Sequence, residues 1–210
     1  WMVPAMAQPA WELRLLPLDE GPAWLADEAA EGRAFPDTAA LRSELEGLLR
    51  RLHGDAYLEA SVDTLDCRDS LCLALLHSGP RYEWARLTNG NVPDEYLEQS
   101  GFRERLYRRR PFAYAELRRL QEELLVFAED HGYPFAEVWL DSLRFYGGQV
   151  EARLFMERGH LSLLDTLKVE GDARIADAYL EHYLGLRPGA PYSRSRLLRS
   201  RERLREPQPH

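Results

Sequence analysis

The sequence predicts an α+β protein made of tandem units, each running strand, helix, helix, strand, strand. Three observations lead to this fold class: two helical stripes of leucine, a switch to strand-like alternation after each stripe, and a segment that occurs twice. Residues 53–65 read HGDAYLEASVDTL and residues 131–143 read HGYPFAEVWLDSL, which match without a gap at an offset of 78. We expect each unit to form a three-stranded mixed sheet with two helices packed on one face.

The long helix of each unit is predicted from apolar residues at helical spacing after a proline. These residues are Leu41, Leu45, Leu48 and Leu52 in the first unit, and Leu117, Leu120, Leu124 and Phe127 in the second. Each stripe leads into a His-Gly pair, His53-Gly54 or His131-Gly132. Glycine suits the left-handed residue that ends a helix, and histidine suits the negative end of the helix dipole. We therefore favour a structural role for both histidines over a catalytic one.

A β-hairpin is predicted after each His-Gly pair, because the pattern changes to period two. The alternating residues are Leu58, Ala60 and Val62 in the first copy and Ala136, Val138 and Leu140 in the second. A turn follows at residues 68–70 or at Gly147-Gly148. The second strand then returns through Leu71, Leu73 and Leu75, or through Val150, Ala152 and Leu154.

The remaining elements open each unit. RYEWARL after Gly79 and HLSLLDTLKV after Gly159 read as strands, and PDEYLEQ and RIADAYLEH read as short helices. The predicted boundaries are residues 1–8, 9–79, 80–159 and 160–210 for a signal-peptide remnant and units 1, 2 and 3. Unit 3 is expected to be incomplete, because its hairpin is missing. Part of the apolar stripe of its last helix, formed by Leu197, Leu198 and Leu204, should therefore remain exposed.

Composition and termini limit the compartment and the partners. A net charge of −8 and a pI near 5.3 argue against nucleic acid as a partner. Ala5-Met6-Ala7 before Gln8 fits a signal-peptidase site, although an arbitrary Ala/Pro-rich terminus fits equally well. Cys67 and Cys72 flank a polar turn, so we expect a hairpin disulfide and an oxidising compartment. Two separate buried thiols are the alternative, and a zinc site is less favoured.

Residues 167–206 read LKVEGDARIADAYLEHYLGLRPGAPYSRSRLLRSRERLRE, and residues 127–138 read FAEDHGYPFAEV. Both passages resemble POTRA (polypeptide-transport-associated) domains of outer-membrane assembly and secretion proteins of the BamA/TamA and two-partner-secretion type. The resemblance covers nearly the whole chain after Gln8, and the first helix of unit 1, in EGPAWLADEAAEGRAF, departs from it most. It implies a periplasmic arm attached to the outer membrane through a C-terminal β-barrel that is absent from this chain.

The resemblance implies a binding function and not an enzymatic one. The expected partners are unfolded outer-membrane or exported polypeptides, together with periplasmic or lipoprotein accessory subunits. The alternatives are a two-partner-secretion transporter, which would bind one dedicated exoprotein, and a periplasmic hydrolase that carries POTRA-like modules. No motif for a nucleophile, metal or cofactor is present, so we expect neither cofactor nor metal.

The strand after the long helix is placed at the sheet edge by the resemblance, at about residues 57–65 and 135–143. An edge strand can bind an extended peptide through its unpaired backbone groups. We therefore predict a client-binding edge in unit 2, formed by Phe135, Glu137, Val138, Trp139, Asp141 and Leu143. Asp63 and Asp141 recur at matching strand positions, which we attribute to a shared place in the fold. The arginine-rich runs at residues 103–110 and 196–206 are interpreted as solvated helix faces and not as lipid-binding sites.

Overall fold

The computed structural model describes residues 11–168 and 177–205, without the side chains of residues 177 and 178. The predicted signal-peptide remnant at residues 1–8 lies outside the described residues. The strands, in chain order, are β1 Trp11–Pro17, β2 Arg33–Phe35, β3 Ser61–Arg68, β4 Leu71–His77, β5 Glu83–Asn89, β6 Glu137–Tyr146 and β7 Gln149–Glu157. The helices are α1 Ala23–Ala30, α2 Thr38–Gly54, α3 Asp94–Gln99, α4 Glu104–Tyr107, α5 Tyr114–Asp130, α6 Asp177–Leu184 and α7 Arg194–Arg205. The predicted α+β class is confirmed.

The first sheet has four strands in the order β2-β1-β4-β3. Strand β1 runs parallel to β4, and the other two pairs are antiparallel. Three strands were predicted, and β2 is the addition. The chain is already extended at Glu31, just after α1, with φ −103° and ψ 114°. It then pairs with β1 at the edge, where Phe35 lies opposite Trp11.

The core of the first sheet confirms the leucine stripe of α2 but corrects the face of β4. All four stripe leucines are buried: Leu41, Leu45, Leu48 and Leu52. In β4 the buried residues are Cys72, Ala74 and Leu76. The strand is predicted from Leu71, Leu73 and Leu75, and these residues lie half-buried on the opposite face. Both faces of β4 are apolar, so alternation alone did not show which face meets the helices.

The second sheet has three strands in the order β5-β7-β6. The buried residues of β7 are Val150, Ala152, Leu154 and Met156. The buried residues of helix α5 are Leu117, Leu120, Leu124 and Ala128. Phe127 is only half-buried and meets Tyr96 edge-to-face, with ring centroids 4.8 Å apart. Tyr96 lies on α3, which forms where the short helix PDEYLEQ was predicted.

The repeat is real, but its offset changes along the chain. Helices α2 and α5 both have 17 residues and begin at Thr38 and Tyr114, which is an offset of 76. The left-handed residues after them, Ala56 (φ 74°) and Gly132 (φ 95°), are also 76 apart. Gly54 is still helical, so the prediction that it adopts the left-handed conformation after α2 is wrong. Ala56 adopts that conformation instead. The offset of 78 holds only at the hairpin turns, because β6 has 10 residues and β3 has 8.

Of the segment predicted to be the first strand of unit 3, the described residues 160–168 form an isolated bridge, between Leu163 and Pro191. Among residues 160–168 and 177–205, no strand pairs with it. Helix α7 leaves Leu198 and Leu204 exposed, as predicted. The predicted helix start at residues 174–176 lies outside the described part of the chain.

By their internal contacts the residues group into two compact units. One comprises the chain up to Ala85 with residues 108–115 and 144–150, and it contains the first sheet with α1 and α2. The other comprises residues 86–107, residues 116–143 and the chain from Glu151 onward. The predicted domain boundaries stay predictions. Within the described ranges, no helix is both long and apolar enough to span a bilayer.

Candidate functional site

Strand β6 lies at an open edge of the second sheet and contains most of the predicted site residues. Glu137, Val138, Trp139, Asp141 and Leu143 are all part of it. The strand begins two residues later than predicted and extends three residues further, to Tyr146.

Phe135 is the one predicted site residue that precedes β6. The N–H of Ala136 donates to the carbonyl of Tyr133, with 3.3 Å between the nitrogen and the oxygen, and this turn holds Phe135 outside the ladder. The Phe135 ring is exposed and lies 5.1 Å from the His160 ring, centroid to centroid.

The outer face of β6 carries alternating acidic and aromatic side chains. Glu137, Trp139 and Asp141 all point away from the helices and are exposed. The Trp139 indole stacks on Phe155 of β7, with centroids 6.1 Å apart and an interplanar angle of 23°. This contact leaves 39% of Trp139 exposed. An apolar ring flanked by two carboxylates suits aromatic or basic side chains on an added strand.

Phe155 reaches this position because Gly90 makes room for it. A Cβ atom built on Gly90 would lie 2.4 Å from a ring carbon of Phe155. Gly90 also continues the ladder after β5, since its N–H donates to the carbonyl of Leu154 over 2.8 Å. The aromatic pair on the outer face therefore depends on a glycine at this point.

The backbone direction of Val138 follows from a side-chain contact. The Gln121 side-chain amide on α5 donates to the Val138 carbonyl, with an N–O distance of 3.1 Å. From this contact we infer that the Val138 carbonyl faces the open side of β6 and not β7. Because the N–H and C=O of one strand residue point to the same side, the Val138 N–H faces outward as well. By the same inference Leu140 has the same parity, whereas the backbone groups of Glu137 and Trp139 face β7.

An irregularity ends the flat part of the edge. Ser142 is left-handed, with φ 54°, and its N–H donates to the Asp141 carboxylate over 2.6 Å. In β3 the register shifts between Val62 and Thr64, which leaves Asp63 as the extra residue of a bulge. Asp63 therefore lies at an irregularity of an edge strand, and Asp141 lies next to one. Bulges limit how far a partner strand can pair along an edge.

Beyond Ser142 the side chains of β6 are exposed, including Leu143, Phe145 and Tyr146. The Phe145 ring meets Tyr82 edge-to-face, with centroids 5.7 Å apart and planes at 84°. The Tyr82 hydroxyl donates to the Glu59 carboxylate, and this hydrogen bond, together with burial, raises the pKa of Tyr82. In this half of the strand, the Phe145 side chain is therefore already in contact with another aromatic residue of the chain.

The predicted disulfide is confirmed between Cys67 and Cys72. The two residues lie directly opposite each other in the β3–β4 hairpin, and their Cα atoms are 4.1 Å apart. Cys72 belongs to the buried core, whereas Cys67 is exposed on the edge strand. The bond therefore fastens the edge of the first sheet to its core.

Both histidines of the repeated segment make structural hydrogen bonds. The Nε2 atom of His53 lies 3.0 Å from the Ala60 carbonyl, and the Nδ1 atom of His131 lies 2.7 Å from the Phe127 carbonyl. The first contact closes the turn that follows α2, and the second joins His131 to the last turn of α5. Across residues 11–168 and 177–205, no group of three His, Cys, Asp or Glu side chains is arranged to hold a metal ion.

Two features of the edge were missed at the level of sequence, namely the contact of Gln121 and the irregularity at Ser142. Gln121 interrupts a helix face that is otherwise apolar where it meets the sheet. This polar residue in an apolar stripe was the feature of the sequence that could have indicated the contact. At the offset of 76 its counterpart on α2 is Leu45, which is 5% exposed. Ser142 carried no signal, because a left-handed serine cannot be read from side-chain alternation.

No family model and no curated protein matches the chain. Among solved structures, the chain is similar to POTRA domains 3–5 of Haemophilus influenzae BamA, with a TM-score of 0.56 at 14% identity. That match covers 95% of this chain and 87% of the other. POTRA domains 1–3 of the periplasmic domain of Omp85 from Anabaena align with a TM-score of 0.41 at 13% identity, over 92% and 82% of the two chains.

Proposed function

We propose that this chain, which has the fold of POTRA domains in tandem, binds extended polypeptides along the open edge of β6. The observation that carries the proposal is the hydrogen bond from the Gln121 amide to the Val138 carbonyl, from which we infer that the backbone groups of Val138 face the open edge. Leu140 follows with the same parity, so the flat edge presents two residues that an added strand can pair with. Backbone pairing of this kind is largely indifferent to the client's side chains.

The clients we propose are unfolded outer-membrane or exported polypeptides. Such chains are rich in strands of about 10 alternating residues, which are suited to adding one more strand to a sheet edge. Binding through backbone hydrogen bonds is reversible and needs no energy input, so this role is that of a binding module and not of an enzyme. Trp139 and its flanking carboxylates, Glu137 and Asp141, would add contacts to aromatic or basic side chains.

The cellular setting we propose is the periplasm, with the chain acting as the arm of an outer-membrane protein in assembly or translocation. The Cys67–Cys72 bond supports an oxidising compartment. The exposed helix surfaces would remain available to periplasmic or lipoprotein accessory subunits while the edge of β6 holds a client.

Proline substitutions at the two residues of β6 whose backbone groups face outward test the proposal. Val138→Pro removes an outward N–H and should abolish binding of a fluorescein-labelled peptide of ten alternating apolar and polar residues. Leu140→Pro should do the same. Val62→Pro, at the matching place on β3, is the control and should bind as the parent does. Fluorescence anisotropy measures the affinity, and circular dichroism checks the fold of each variant. Parent-like binding by folded Val138→Pro and Leu140→Pro variants would refute binding along β6.

A further inference from the structure

We propose that Gln121 is a latch on the edge of β6, which an incoming strand must displace before it can pair. The latch is the hydrogen bond from the Gln121 side-chain amide to the Val138 carbonyl, 3.1 Å long. The inference rests on the proposed function, because it assigns Gln121 the role of setting the affinity and selectivity of that same edge.

The contact occupies a group that an added strand needs. In an antiparallel ladder the outward carbonyl of Val138 accepts an N–H from the facing residue of the partner strand. In the free protein the amide of Gln121 fills this position. An incoming strand therefore exchanges one hydrogen bond for another at this point and gains less than it would at a vacant carbonyl.

The position of Gln121 on α5 supports a specific role. Its counterpart on α2, Leu45, belongs to the buried core. The neighbouring positions keep their apolar character, since Leu41 and Leu48 correspond to Leu117 and Leu124. A half-buried polar residue on such a face is stable only where its amide finds a partner. The Val138 carbonyl is that partner, and it lies on β6, an edge strand of the second sheet.

The latch also fits the way proteins protect sheet edges. Natural edges are shielded by bulges, charges or covering groups, because a bare edge pairs with any exposed strand. Here the left-handed Ser142 shortens the flat edge, and Gln121 covers one of its two open residues. A client that lacks an N–H opposite Val138, through a proline or an N-methyl group, cannot replace the latch. Gln121 therefore selects for uninterrupted strand formers.

Two substitutions that remove the donor test the latch. Gln121→Leu introduces the residue that α2 has at this place, and Gln121→Glu removes the donor without adding apolar surface. Each should bind the labelled alternating peptide about two- to tenfold more tightly than the parent, the factor expected for one net hydrogen bond. Gln99→Leu, a change at an exposed glutamine on α3, is the matched control and should leave the affinity unchanged.

The outcomes separate the latch from the proposed function. Tighter binding by both Gln121 variants, with the control unchanged, supports the latch. Unchanged or weaker binding by either variant, while Val138→Pro still abolishes binding, overturns the latch and leaves the function intact. Tighter binding by Gln121→Leu alone would mean that added apolar surface is the cause, and it also overturns the latch. Parent-like binding by Val138→Pro overturns both.

Discussion

Reduction of the Cys67–Cys72 bond is a perturbation that changes no side-chain volume. The two cysteines are 5 residues apart in sequence, so the bond closes a short loop. Loop-closure entropy for such a loop gives about 2 kcal/mol of stabilisation. For domains of about 60–100 residues, a loss of this size corresponds to a fall in melting temperature of about 10 °C on reduction.

Thermal unfolding followed by circular dichroism, with and without a phosphine reductant, measures this effect. The double variant Cys67→Ala/Cys72→Ala is the control, and its transition should not respond to reductant. Because Cys72 is 0% exposed, its replacement also leaves a small cavity, so each protein is compared only with itself. Amide exchange should place the loss in β3 and β4, with protection reduced by about 30-fold.

A melting temperature that does not change when mass spectrometry shows full reduction would refute this reasoning. It would mean that the hairpin is held by its ladder and core alone, and that the bond adds no net stability. A loss of protection spread evenly over both sheets would also contradict it, since β3 and β4 belong to the first sheet only.

Two further predictions follow from single contacts. Burial raises the pKa of Asp130, but the hydrogen bond from the Ser195 N–H and neighbouring groups outweigh burial and hold that pKa below its ordinary value. The carboxylate therefore stabilises the start of α7 fully above the ordinary pKa of aspartate. This stabilisation is lost as the pH falls through the lower pKa that Asp130 has in the folded protein. Exchange protection of α7 should fall below about pH 4, whereas Asp130→Asn, whose amide oxygen still accepts hydrogen bonds but does not titrate, should show no such step. Gly90→Ala should displace the Phe155 ring from Trp139 without unfolding the sheet. The fluorescence emission of Trp139 should then shift to longer wavelength. An unchanged spectrum would mean that the ring pair does not depend on Gly90.

Local chemistry in the sequence determined much of this protein. The 3.6-residue spacing of leucines located α2 and α5, because a helix must bury one continuous stripe. Period-two alternation and turn residues located the hairpins. Cys67 and Cys72 could be paired because they flank a short polar turn, which places them across from each other in a hairpin. The outward side chains of Glu137, Trp139 and Asp141 followed from the same alternation.

Tertiary structure decided features that the alternation of side chains along the sequence leaves open. The side-chain period in a strand is two, so a strand that is apolar on both faces, such as β4, can bury either one, and only packing against α2 selected Cys72 over the adjacent leucines. The strand β2 exists because β1 offered an open edge to a short extended segment. The repeat offset of 78 hid two added residues in β6, since an ungapped match cannot register a longer strand. The direction of the Val138 carbonyl, and the Gln121 amide that meets it, depend on the distance between α5 and β6. No periodicity along the chain encodes that distance.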